Sequence, residues 1–134
     1  MTVVKKEESA GLSWEIDFDS ETNILTCISS GVLTSEALNS FSKSLFKYAN
    51  QNNINSILLD HSKTKSKMSF MDMYNRYKVV PKLGLKNSYS IAFVMHSELK
   101  HLTNLFETIF VNRGYDYKSC DSIKEAKEWL LKQQ

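Results

Sequence analysis

From Leu12 to Asp19 the chain alternates strictly: Leu12, Trp14, Ile16 and Phe18 are apolar, and Ser13, Glu15, Asp17 and Asp19 are polar. A period of two puts each set on its own face of an extended chain, so the segment reads as a half-buried strand. Ser20-Glu21-Thr22-Asn23 is a turn by composition. Ile24 to Ile28 is rich in β-branched residues and stops at Ser29-Ser30-Gly31, completing an antiparallel hairpin. The period then changes. Leu38, Phe41, Leu45, Tyr48 and Ala49 recur at helical spacing behind Thr34, whose hydroxyl suits an N-cap. The apolar run Ile57-Leu58-Leu59, preceded by Ser56 and ended by Asp60, fits a strand buried on both faces of a mostly parallel sheet.

Downstream, residues 61–67 read as a polar basic loop. Ser69, with Asp72 three residues on, caps a second helix whose inner face is marked by Phe70, Met73, Tyr74 and Tyr77 and which ends at Pro81 and Gly84. Tyr89 to Met95 is another apolar strand. Leu99, Leu102, Phe106 and Ile109 stripe a third helix, closed by Asn112-Arg113-Gly114. Tyr115 to Ser119 is a short last strand. Ser122 and Glu125 form a capping box for a final helix carrying Ile123, Ala126 and Leu130. The order is β-β-α-β-α-β-α-β-α: an α/β fold with a mixed, mostly parallel sheet of about five strands and right-handed crossovers. The expected core is Trp14, Ile16, Phe18, Phe41, Leu45, Ile57, Leu59, Phe93, Leu102, Phe106 and Ile109. Residues 1–11 read as a flexible polar arm and residues 12–134 as a single domain.

A length of 134 residues fits one core. The chain is 42% hydrophobic and 24% charged, as expected of a soluble globular protein. It has no apolar run of the roughly 18 residues a membrane span needs. Its opening residues, MTVVKKEES, lack the apolar stretch of a secretory signal. A cytoplasmic address is the expectation. Cys27 and Cys120 form no CxxC pair and read as reduced structural thiols. Net charge is +2, unevenly spread. Residues 1–42 hold two lysines against seven carboxylates, while residues 43–90 hold nine basic residues against Asp60 and Asp72. The basic middle could meet an anionic ligand. Lysines without interleaved arginine or exposed aromatics read better as a solvated face, and nucleic acid is not an expected partner.

Catalytic signatures are missing: no GxSxG, no Cys/His arrangement, no GxGxxG and no P-loop. Asp60 and His61 follow one central strand and His96 follows its neighbour, where open parallel sheets gather their sites. His61, His96 and His101 lack a recognised ligand spacing, so they read as solvated loop histidines, and neither metal nor cofactor is expected. Glu15, Asp17 and Asp19 read as the hairpin's solvated face. The stripe Phe70, Met73, Tyr74 and Tyr77 reads first as core packing and second as a mobile helix over an apolar pocket.

Several stretches together resemble the STAS / SpoIIAA-like family, in its branch of small stand-alone bacterial proteins. These are Gly31-Val32-Leu33-Thr34 entering the first helix, Ile57 to Asp60, Ile91-Ala92-Phe93-Val94, Phe106-Glu107-Thr108 with Asn112 to Tyr115, and the closing DSIKEAKEWL from Asp121 to Leu130. The resemblance spans roughly residues 12–132. It implies a non-enzymatic regulatory or small-ligand-binding domain, with a protein-interaction module of anti-sigma-antagonist type as the alternative. In those antagonists a phosphorylated Ser, preceded by Asp and followed by Gly, opens the second helix. Here Ser69 stands near that place, between Met68 and Phe70, without the Asp and Gly. The candidate ligand-binding set is Asp60, His61, Ser69, Phe70, Met73, Tyr74, Tyr77 and His96. The candidate partners are a small amphipathic ligand such as a fatty acid, admitted by a mobile segment from Lys63 to Gly84, or a protein, a second copy included.

Overall fold

The hairpin expected from the alternation is built from β2 (Leu12–Asp19) and β3 (Ile24–Leu33), antiparallel from Leu12↔Gly31 to Asp19↔Ile24. The computed structural model describes residues 2–96, 98 and 100–134, apart from the side chains of Thr2, Lys100 and Leu102. Leu99 and the side chain of Leu102, expected on the third helix's stripe, therefore lie outside the described residues.

The expected arm is a strand. β1 (Thr2–Ser9) pairs antiparallel with β2 through a two-residue turn, Ala10-Gly11, in which both residues have positive φ. That is the backbone twist a tight hairpin requires. On its other side β1 meets α1 (Ser35–Gln51) through polar groups: Ser9 Oγ lies 3.2 Å from Ser40 Oγ, and Ser44 Oγ donates to Glu7. A charged edge strand with such partners carries little apolar alternation. It raises the expected five strands to six, in the order β1-β2-β3-β4-β5-β6.

β4 (Ser56–Ser66) and β5 (Ser90–Val94) follow in parallel, then β6 (Asp116–Cys120). β4 corrects a second expectation. Residues 61–66 are not a loop: the strand runs on to Ser66, paired with the extended end of β3 from Ser30↔Lys63 to Leu33↔Ser66. Gly31, with φ +111°, permits this, because a Cβ there would stand 2.3 Å from the Gly11 carbonyl oxygen. The second helix is broken into α2 (Phe70–Tyr74), α3 (Arg76–Val79) and a 3₁₀ turn (Val80–Leu83). α4 (Lys100–Val111) and α5 (Ile123–Gln133) complete the chain.

The successive parallel connections from β3 to β6 put α1, α3 and α4 on one face of the sheet, as crossovers of one hand do. There Trp14, Ile16, Phe41, Leu45, Ile57, Phe93, Phe110 and Tyr117 form the main core. α5 covers the other face, closing Ala126 and Leu130 over Leu58, Ala92 and Val94. Most expected core positions are buried, but Phe18, Leu59 and Phe106 are only partly so. On α4 the phase is turned: Phe110 is fully buried and stacks on Tyr117 at 4.4 Å, while Phe106 leans toward a cavity. Thr34 caps α1 by accepting from the Ala37 amide at 3.2 Å. Ser122 caps α5, whereas Glu125 accepts from the Asp121 amide and not from the cap itself.

Candidate functional site

Between α1, the broken second helix and the sheet lies a cavity with a water-accessible volume of about 60 Å³. α1 contributes Leu38, Phe41, Ser42 and Leu45, and β4 and β5 contribute Leu59, His61 and Phe93. Met68, Met73, Arg76 and Val80 form its roof, with Phe106 and Tyr117 on the far wall. Almost all of this lining is apolar. That is well above the roughly 10–15 Å³ a single water needs, so the space takes a few water-sized groups.

The roof is thin. α2 buries none of its five residues, and Phe70 and Met71 are 51% and 56% exposed. It is held at its start by the capping box that Ser69 and Asp72 make, with the Asp72 amide donating to Ser69 Oγ at 3.0 Å and the Ser69 amide to Asp72 Oδ2 at 3.2 Å. α3 is anchored better. Arg76 is 4% exposed, its Nη2 donating to Ser42 Oγ at 3.1 Å and its Nη1 to Asn39 Oδ1. Burial brings the guanidinium down to a pKa of about 10, still charged at neutral pH, and the nearby phenol of Tyr117 is pushed up by its own burial.

The expected site residues divide. His61 and Met73 line the cavity. His61 is no solvated loop histidine: it sits on β4, 5% exposed, its Nδ1 2.5 Å from Ser29 Oγ and its ring 5.2 Å from that of Phe41. Burial lowers its pKa to about 4, so it is neutral at ordinary pH. Strand alternation turns the preceding residue to the opposite face, where Asp60 Oδ1 accepts from the Ser62 amide and hydroxyl. Ser69 is taken up in capping. Phe70 and Tyr74 flank a separate small crevice with Leu105 and Ile109 of α4, so Phe70 is not an inner-face residue of the kind expected. Tyr77 lies under the Arg113 guanidinium, 3.6 Å from its ring centroid. His96 and His101 are exposed. Asp60, His61 and His96 therefore do not converge, and among the described residues no three His, Cys, Asp or Glu side chains group as a metal would require.

The sequence reading missed Arg76, Asn39 and Ser42. Its one available signal is spacing: Arg76 falls three residues after Met73 and four before Val80, a charge set into an inward-facing helical stripe. The lysines of the basic middle, which could meet an anionic ligand, are not part of the cavity. Lys63, Lys65 and Lys67 are exposed along and just past β4, and among the described residues no lysine lines the space.

No family model matches this sequence, and no curated protein matches it. Solved structures do. An anti-sigma factor antagonist from Mycobacterium paratuberculosis superposes with a TM-score of 0.57 at 10% identity, over 89% of this chain and 93% of that one. An uncharacterized protein with a SpoIIAA-like fold from Shewanella loihica superposes with a TM-score of 0.55 at 17% identity, over 95% of this chain and 99% of that one. Both likenesses run nearly end to end. The chain has the SpoIIAA-like fold.

Proposed function

We propose that this chain is a non-enzymatic regulatory domain whose ligand, a small and largely apolar molecule, occupies the cavity beneath α2 and α3. The observation that carries the reading is the pairing of an apolar cavity with a cover whose first helix, α2, buries none of its residues. α2 can lift at modest cost, because local stability follows buried contact. Small-molecule sites are typically apolar hollows with a few placed polar groups, and Arg76, Ser42 and His61 supply those. A cytoplasmic setting belongs to the same proposal. The two free cysteines, Cys27 and Cys120, are buried and suit a reducing compartment, and no helix among the described residues is long and apolar enough to cross a membrane.

Native mass spectrometry of the purified chain, with an apolar fluorescent probe in parallel, tests this. The probe is expected to bind one to one and to be lost in Met73→Trp, which fills the space from a half-buried position. Unchanged probe binding in a folded Met73→Trp variant would remove the cavity as the site. One observation favours a second reading, a protein-interaction module like the anti-sigma factor antagonist: Phe70, Met71 and Leu105 are exposed large apolar side chains at the α2–α4 edge. If a second copy were the partner, sedimentation would show a dimer that Phe70→Glu dissociates.

A further inference from the structure

Among the described residues lining the cavity, Arg76 alone carries a charge, and it is 4% exposed. Buried charges are as a rule paired with an opposite charge. Arg76 is not. Its two hydrogen bonds go to a neutral amide oxygen of Asn39 and a neutral hydroxyl of Ser42. The ion pairs among the described residues lie elsewhere, Lys5–Glu7 and Lys6–Glu15 on the first hairpin and Lys124–Glu128 on α5. A guanidinium has five N–H donors in a planar fork, so donors remain for a further acceptor. Among the described residues no acidic side chain lines the cavity or pairs with the guanidinium. His61 is neutral and adds no competing charge, and Tyr117, close enough to feel the guanidinium, stays a neutral phenol.

We infer that the ligand of this cavity is a small carboxylate on an apolar stem, its head group meeting the buried guanidinium of Arg76 and its stem lying against Leu38, Leu45, Phe93 and Phe106. The inference deepens the proposed function and rests on the cavity being the ligand site. A planar monoanion matches the fork in a bidentate way. Beyond Arg76, the hydroxyls of Ser42, Ser66 and Tyr117 and the His61 ring, the described lining is apolar, and it holds no second cation for the second charge of a phosphate. The size of the space selects a short stem of a few carbons over a long fatty acid, which would require α2 to stand open.

The experiment is a titration of the full-length chain, followed by backbone amide shifts, with valerate, 1-pentanol and inorganic phosphate. Valerate is expected to bind at least about tenfold tighter than 1-pentanol, as charge-assisted pairing to a buried cation implies. It should perturb amides of residues 38–45 and 73–80 first. Arg76→Gln should bring valerate down to the level of the alcohol, with Arg76→Lys in between. If the wild-type chain binds the alcohol as well as the acid, the carboxylate inference is wrong and the cavity reading survives. If phosphate matches valerate, the apolar stem is wrong. If none of the probes binds, both readings fall. The wild-type series decides without any variant having to fold.

Discussion

Lowering the pH should unfold this protein partly through one imidazole. His61 is charged with a pKa near 6.5 in an unfolded chain and about 4 in the folded one, because burial outweighs the upward pull of neighbouring Asp60. Between those values the unfolded chain holds a proton that the folded chain does not. Stability is therefore complete above the unfolded value and falls as the pH drops toward the folded one. Each pH unit of the interval is worth about 1.4 kcal/mol, so His61 contributes about 3 kcal/mol of stability at neutral pH that is gone near pH 4. Urea denaturation from about pH 7 down to about pH 4 reads the slope, with His61→Gln as the control that keeps a polar partner for Ser29 but cannot titrate. Asp17 works in the opposite direction, since burial raises its pKa, but it is present in both chains and cancels from the comparison. The wild type should lose stability more steeply than the variant across this range. Parallel curves would mean that His61 is solvated enough to carry its proton in the native state.

Two further outcomes are expected. Phe110→Ala should cost about 3–5 kcal/mol, the range for deleting a fully buried phenyl ring, and Phe106→Ala should cost clearly less because its ring already faces a hollow; urea midpoints of the two variants order them. Amides of residues 70–79 should exchange with solvent faster than those of 57–59 and 91–94, because α2 buries no residue while the two strands lie at the centre of the sheet; equal protection would show that the roof does not open independently.

Sequence reasoning reached the elements whose burial is one-sided or complete. The alternation from Leu12 to Phe18 is visible because β2 has one face on the core and one turned from it. The run Ile57-Leu58-Leu59 is visible because helices cover both faces of β4 at that point. β1 left no such trace. Of its eight residues only Val3 and Val4 are apolar, and what fixes it is backbone pairing with β2 and the serine hydroxyls of α1, neither of which selects for apolar side chains. The second half of β4 was hidden in the same way. Lys63 and Lys65 turn outward while the small Thr64 turns in, 5% exposed, so the lysines read as a loop although the ladder to β3 makes them a strand. That ladder is non-local, and no window along the chain contains both halves of it.

Of the candidate site, Met73 and His61 were legible and the buried cation was not, and the reason is physical. An apolar stripe such as Met73 and Val80 announces itself by repetition, because many residues must share one face to bury it. A buried cation is a single residue, and its meaning depends on what stands opposite. Arg76 on an isolated helix is an ordinary solubilising side chain. It becomes a chemical feature only because α1 supplies Asn39 and Ser42, 37 and 34 residues earlier, and because no carboxylate among the described residues comes to meet it. The lysines of the basic middle behave for the converse reason as the solvated face they read as: long flexible ammonium chains keep their charge in water and stay out of an apolar hollow. In this chain a charge count points to the wrong cations. The residue to weigh is the one whose helical phase forces its charge inward, where the missing counter-charge can be asked of a ligand.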